Sequence, residues 1–322
     1  MRPVISDPTM LTPAFAVLGP QQHIPNLAAT LDELGIDGPV CAVTAGWQER
    51  EGELDDLIGH IDRPCVDLGL YQTANDVFAE DPSLFHAHRA RQDKLRLLQS
   101  LYRKRLDHAH AAAAEMLAAE GDSSVVLRER RAAINALRSL DRQHLVHIED
   151  VHRDFDQTFD TRQHPRVAHA RERIARQLAD ASAVLVAGGH VSTLVGRLRL
   201  FAMASLLEDK TIVAWSAGAM ALSRRIVLFH DSPPQGPGHA EVFDAGLNLL
   251  PAILPLPHAR ERLRLDDVDR VALMARRFGP DPAITLDAGA RAIGDRRGWN
   301  RFEGCARLNA RGTVSALSES DA

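Results

Sequence analysis

Apolar residues are distributed along the chain in two textures. In the first, runs of apolar, often β-branched residues stop abruptly at a Gly, a Pro or a small residue. They are Phe15 to Leu18 before Gly19-Pro20, Val40 to Thr44 before Ala45-Gly46, Val66 to Leu70, Ala183 to Val186 before Ala187-Gly188-Gly189, Thr211 to Trp215, and Ile253 to Leu256. Short runs without polar alternation read as strands buried on both faces. Helical stretches, Asn26 to Leu34 and Ser192 to Leu207, follow the first and fourth runs. The alternation predicts an α/β fold, a mostly parallel sheet with helices on both faces. In such sheets chemistry gathers at the carboxyl ends of strands. Here those are the loops after residues 18, 44, 186 and 215.

The second texture has no strand pattern. Leu95, Leu98, Leu101, Tyr102, Leu106, Ala109, Ala113, Met116 and Leu117 recur at helical spacing. Beyond Glu120-Gly121-Asp122-Ser123-Ser124, so do Leu127, Ile134, Leu137, Leu145, Ile148 and Val151. Two amphipathic helices joined by a short Gly-containing turn form an αα-hairpin. Ordinary α/β connections need only a few residues and one helix. The expected organisation is therefore an α/β domain made of 1–83 and 160–322, interrupted by a helical insertion at 84–159. A third helix at about 165–181 leads back into the sheet, and short runs from 283 to 317 read as hairpins closing a sheet edge. Ser318 to Ala322 read as a frayed end.

Composition narrows the class. Thirty-eight basic against 43 acidic residues give a net charge of −5, which offers no chain-wide attraction to nucleic acid or to an anionic membrane. No apolar run reaches 18 residues, and the N-terminus lacks the order of a signal peptide. Cys41, Cys65 and Cys305 are odd in number and far apart, so reduced thiols in a cytoplasmic protein are expected. Their spacing matches no zinc site.

The most informative stretch is Val213-Ala214-Trp215-Ser216-Ala217-Gly218-Ala219, an apolar strand running into Ser216 and then a helix-forming segment. A serine at a crowded strand-to-helix turn presents its hydroxyl above the sheet, and small neighbours make room for the turn. A helix N-cap is the plainer reading of the same serine. A second strand ends in Ala187-Gly188-Gly189-His190. If it neighbours the Ser216 strand, its glycines let a backbone N–H turn towards the space above Ser216.

The order AGGH, AWSAGA, an Asp, Asn-Leu-Leu-Pro and then Pro-His resembles the dipeptidase E and cyanophycinase family of serine peptidases. The resemblance implies a class I glutamine amidotransferase-like, flavodoxin-like three-layer sandwich. It further implies Ser216 as nucleophile, His258 as general base and Asp231, fifteen residues after Ser216, as third triad member. The N–H groups of Gly189 and Ala217 match the oxyanion donors. Gly188, His190, Trp215 and Asp287 are candidates for substrate contact. His190 stands where the family has Asn, and Ala214 where it has Gly. The likeness is strongest over 181–260.

Serine needs a base within hydrogen-bond reach and a group that orients that base. His190, His230 and His239 are rivals for the base, and Asp244 is a rival for the acid. His144, His147 and His152 read as surface histidines, and no metal ligand set is assigned. Basic residues from Arg89 to Arg105 read as the solvated side of a helix. Pro233 to Gly238 read as a loop between Asp231 and His258, a composition that turn chemistry explains. The resulting expectation is a cytoplasmic serine hydrolase needing no cofactor, acting on small peptides, Asp-X among them, with no nucleic acid or membrane partner. A homodimer through the insertion is one arrangement it admits. An esterase of the α/β-hydrolase type is the enzymatic alternative, though its base usually lies much farther from the serine than 42 residues. A non-catalytic scaffold whose insertion binds a partner is the other.

Overall fold

The structure, a computed structural model, describes residues 14–231 and 238–318. The chain opens with β1 (Ala14–Leu18), α1 (Leu27–Glu33), β2 (Val40–Val43), a short 3-10 turn (Ala45–Arg50), α2 (Asp55–Ile61), β3 (Cys65–Asp67) and α3 (Leu70–Glu80). Three helices follow, α4 (Pro82–Ala118), α5 (Ser123–Thr158) and α6 (Pro165–Ala179). The sheet resumes with β4 (Ala183–Val186), α7 (Val191–Leu200), α8 (Ala204–Leu207), β5 (Ile212–Trp215), α9 (Ala217–Leu222), β6 (Arg225–Leu228), β7 (Glu241–Ala245) and β8 (Leu254–Pro257). Last come α10 (Ala259–Arg262), α11 (Val268–Phe278), β9 (Ala283–Leu286), β10 (Arg291–Asp295), β11 (Gly298–Glu303), β12 (Ala306–Leu308) and β13 (Val314–Ala316).

The main sheet has the order β11-β10-β1-β5-β4-β2-β3, parallel from β1 to β3, with the β10–β11 hairpin closing one edge. The expected α/β class is the one observed. Both faces of the sheet are buried, as the unbroken apolar runs require. Phe15, Val17, Val184, Val186, Ile212 and Ala214 point into one core, and Ala16, Leu18, Leu185, Val213 and Trp215 into the other with Leu27, Leu31 and Ile61. A second sheet, β13-β12-β9-β8, carries the chain beyond the site, and β6 pairs with β7. Some elements differ from the sequence expectation. The run Val66 to Leu70 yields only a three-residue strand, because Gly69 takes a left-handed φ of 61° and starts α3 at Leu70. The stretch 192–207 divides into α7 and α8 around Ala202, which has φ 46°.

Helices α4 and α5 lie against each other and bring a buried polar cluster onto β7 and α11. Arg277 donates twice to Asp141, at 2.7 Å each, and once to Tyr102 Oη at 2.8 Å. Tyr102 Oη donates to Asp141 and accepts from Val242 N at 3.2 Å. His144 stacks on Tyr102 with 3.9 Å between ring centres, and Gln99 caps its Nε2 at 2.8 Å. His152 holds Asp244 at 2.9 Å. His144 and His152 are thus buried, against the surface reading, because Gln99 and Asp244, far away in sequence, hold the Nε2 of each ring. Arg91, in the basic stretch read as solvated, is buried over the Phe155 ring at 4.1 Å.

Two outcomes follow from this cluster. Removing one member of a buried ion pair strands its partner, which costs about 3–5 kcal/mol. Arg277→Met should therefore lower the unfolding free energy in urea by about that much; a loss below about 1 kcal/mol would show that Asp141 finds another partner. Burial, only partly offset by Asp141 and Glu241, pushes the His144 imidazole down to about 4. The unfolded chain then takes up this proton first, near the ordinary value of about 6.5. Stability should decline as pH falls from that value towards 4, and His144→Gln should flatten the decline. Urea titrations across this range measure it; equal slopes in the two proteins would argue against it.

Candidate active site

The carboxyl ends of β1, β2, β4 and β5 open into one cleft of about 770 Å³. Its walls include Gln21 after β1, Trp47 and Arg50 after β2, Gly188 and Gly189 after β4, and Ser216 after β5. These are the four strand ends singled out by the sequence. His258 and Arg262, after β8, complete the rim. The β4 and β5 strands are parallel neighbours, with Val186 opposite Ala214. That register puts the Gly188-Gly189 turn beside Ser216.

Ser216 has φ 50° and ψ −121°, a conformation that non-glycine residues rarely adopt. Its side chain makes no cap bond to α9, so the N-cap alternative is not what the structure shows. Such strain costs on the order of 1–3 kcal/mol and collects at functional sites. Close packing holds it there. A Cβ on Gly218 would lie 2.1 Å from Val186 O, so only glycine lets α9 approach the end of β4. A Cβ on Gly188 would lie 2.8 Å from Ser216 Cβ and 3.5 Å from both Ser216 Oγ and Ala217 N. Gly189 is left-handed at φ 107°. Ala217 is the first residue of α9, so its N–H has no partner within the helix. Gly188→Ala is expected to lower kcat by about 10²–10³, the scale of one lost oxyanion donor, without unfolding the chain. Steady-state kinetics beside a thermal melt check this, and near-normal turnover would refute the close approach.

His258 also sits in a left-handed turn, at φ 57°, where β8 enters α10. The end of β9 fixes this turn: His258 N donates to Leu286 O at 3.2 Å, and Arg260 N donates to Asp287 Oδ1 at 3.0 Å. Asp287 therefore steadies the histidine turn instead of lining the cleft. Of the four histidines weighed as base, His258 alone lines the cleft. His190 caps α7 through Thr193 N at 3.2 Å, and His239 stacks on His110 with ring centres 3.6 Å apart. Trp215 lines the cleft as expected, whereas His190 does not.

Asp231 is placed differently from the expectation. Its carboxylate pairs with Arg270 of α11 and accepts from Arg264 N at 2.7 Å, while its own N–H donates to Arg262 O at 2.7 Å. It lines a separate small cavity with His110, Leu263 and Arg270. The guanidinium of Arg270 draws it there, and it anchors the far end of α10. The carboxylate facing His258 Nδ1 is that of Glu261, at 3.4 Å. Asp244, the rival acid, is buried against His152 and Arg199. Glu261 escaped notice in the charged run Arg260-Glu261-Arg262, although spacing i+3 from a histidine in a helical turn puts the two side chains on one face. Arg262, Trp47 and Arg50 were missed as well.

The thiols of Cys41, Cys65 and Cys305 are unbridged, and burial pushes Cys65 and Cys305 up to about 12, which suits inert thiols. Among the described residues no group of three or more His, Cys, Asp or Glu side chains is arranged to hold a metal ion. Nor is any helix there long and apolar enough to cross a membrane. Residues 232–237, which include all of the Pro233–Gly238 loop but its last residue, lie outside the described residues, as do 1–13 and 319–322.

A crystal structure of a peptidase from an acI-B1 Actinobacterium is similar over 95% of this chain and 94% of its own, at 11% identity and a TM-score of 0.45, a likeness too loose to carry an argument. No curated protein matches the chain. Residues 138–290 match the family model described as peptidase family S51. That span contains Gly188, Gly189, Ser216, His258 and Glu261, and the match bears out the resemblance to the dipeptidase E family drawn from the motifs. Members of family S51 are serine-type peptidases, and serine hydrolase is the enzyme class that this match shows for the chain.

Proposed function

We propose that the chain cleaves small peptides through an acyl-enzyme on Ser216, with His258 as general base and Glu261 orienting it. The observation that carries this reading is the strained Ser216 turn, with Gly188 packed on it and His258 on the same cleft. The hydroxyl of Ser216 attacks the scissile carbonyl while His258 takes its proton. The N–H groups of Gly189 and Ala217 receive the charge that develops on the carbonyl oxygen. His258 then gives the proton to the leaving amine, and water releases the acid by the same route reversed. Arg262 lies in the cleft four residues from His258, and among the described residues it has no ion-pair partner, whereas Arg50 is held by Glu53 at 2.7 Å. A guanidinium lining the same cleft as Ser216 favours substrates with a carboxylate, which supports a preference for Asp-X peptides.

A panel of Asp-X, isoaspartyl and neutral dipeptides, with simple p-nitrophenyl esters alongside, tests the reading. Asp-X peptides are expected to be turned over fastest, with the advantage lost in Arg262→Met. Rapid ester cleavage with no peptide turnover would favour the esterase alternative.

A further inference from the structure

Gln48 has φ 59° and ψ −119°, almost the dihedral pair of Ser216. Among the described residues it is the other non-glycine residue held in this strained conformation next to the cleft, and no catalytic role accounts for it. Glycine would adopt it at no steric cost. The glutamine side chain must therefore supply what offsets the strain, and its contacts show what that is.

Gln48 Nε2 donates to Thr193 Oγ1 at 3.1 Å. Thr193 Oγ1 lies 2.9 Å from His190 Nδ1, which also accepts from Thr193 N at 3.2 Å. With Nδ1 an acceptor from that backbone N–H, the threonine hydroxyl donates to it as well, leaving its lone pairs to the glutamine amide. The chain of donation thus runs from Gln48 to Thr193 to His190. Beneath it the two turns touch through their backbones. His190 N donates to Gly46 O at 2.7 Å, a Cβ on Gly189 would lie 2.4 Å from Gly46 O, and one on Gly46 would lie 2.5 Å from Gly188 O. On its outer side the Gln48 turn is tied to α3: Glu49 accepts from Tyr71 Oη at 2.8 Å, and Glu51 accepts from Tyr71 N and Gln72 N at 2.7 Å each. Trp47 and Arg50 flank Gln48 in this turn, and both line the Ser216 cleft.

We propose that Gln48 is a positioning residue that sets Trp47 and Arg50 as a substrate-recognition wall, fastening their turn through Thr193 to the helix behind the Gly188-Gly189 turn. The strain at Gln48 sets Trp47 and Arg50 on the cleft that His258 also lines, and the Thr193 hydroxyl keeps them there. His190 also finds its place in this arrangement, capping α7 and receiving the threonine hydroxyl without touching substrate. The wall acts on the length of peptide beyond the reacting carbonyl, not on the serine chemistry.

The proposal rests on the serine hydrolase reading, so its test uses two probes of one serine. An alkyl fluorophosphonate needs only Ser216, His258 and the oxyanion groups. A dipeptidyl diphenyl phosphonate must in addition lie against the wall. Thr193→Val and Gln48→Gly are each expected to slow the peptidyl probe about tenfold, the scale of one lost hydrogen bond, while the alkyl rate stays unchanged. Thr193→Ser restores the hydroxyl and is expected to restore the peptidyl rate. Replacing Trp47 and Arg50 together by Ala should slow the peptidyl probe at least as much, and adding Gln48→Gly to that pair should slow the probe no further. Equal slowing of both probes, an unaffected peptidyl rate in Thr193→Val, or a further loss on adding Gln48→Gly to the Trp47, Arg50 pair would overturn the proposal. A wild-type protein that reacts with neither probe would overturn the hydrolase reading itself, and this one with it.

Discussion

The Ser216→Ala variant is expected to fold normally and to lose peptide hydrolysis by roughly 10⁴- to 10⁶-fold, the loss seen when a triad nucleophile is removed. Its fold should survive because the hydroxyl makes no cap bond to α9, and alanine suits the small neighbours of the turn. What remains is the strained backbone, Gly188 beside it and the empty place of the attacking oxygen. A residual rate can come only from the oxyanion donors and binding. His258→Ala should lose about as much, and combining the two should add little, since both act in one proton transfer. A melting temperature close to wild type alongside the lost turnover separates this from unfolding. Retention of more than about a tenth of the activity would mean that another group carries the chemistry.

The second large effect distinguishes two carboxylates. Glu261→Gln is expected to lower kcat by about 10², and Asp231→Asn to leave kcat nearly unchanged. Glu261 stands 3.4 Å from His258 Nδ1 and is largely exposed, so its hold in the free protein is loose. Catalytic hydrogen bonds of this kind tighten when substrate closes the site. The expected loss is therefore smaller than for a buried triad acid. Asp231 is bound to Arg270 and to the chain at Arg262 and Arg264, so its neutralisation should appear in stability. Kinetics of both variants with the same peptide decide the matter. A loss in Asp231→Asn as deep as that in Glu261→Gln would return the third triad role to Asp231.

The legible parts of the fold are those governed by local rules. Strands β1, β2, β4 and β5 stand out as apolar runs because both of their faces are buried, and the glycines that end β4 mark the turn beside Ser216. The long helices α4 and α5 show in their spacing, although Leu101 and Leu127, counted in the apolar stripes, are exposed. Strands β6 and β7 were hidden because charged residues break up their short apolar runs, Arg225 beginning one and Glu241 and Asp244 interrupting the other. The burial of Arg225 and Asp244 is offset by Asp281, His152 and Arg199, none of them a sequence neighbour. The same cause misplaced His144 and His152: a buried histidine looks exposed until its partner is known.

At the site, Ser216 and His258 were legible because each needs a special backbone turn that leaves a mark in sequence. Small residues surround Ser216, and a proline precedes His258. The acid proposed to orient His258 left no such mark. Glu261 lies between two arginines in an exposed turn and looks like any solvated charge, while Asp231 sits at the spacing the resemblance suggested. Only the packing of Arg270 against Asp231 separates them. Gln48 was illegible for a related reason, since a positive φ on a long polar residue is a property of the fold and not of the residue type.

The most direct test of Ser216 as the nucleophile is to treat the purified protein with a fluorophosphonate and map the adduct by peptide mass spectrometry. One phosphonylated residue is expected, Ser216, with labelling abolished in Ser216→Ala and strongly slowed in His258→Ala. An adduct on another residue, labelling that persists in Ser216→Ala, or a folded wild-type protein that stays unlabelled would contradict it.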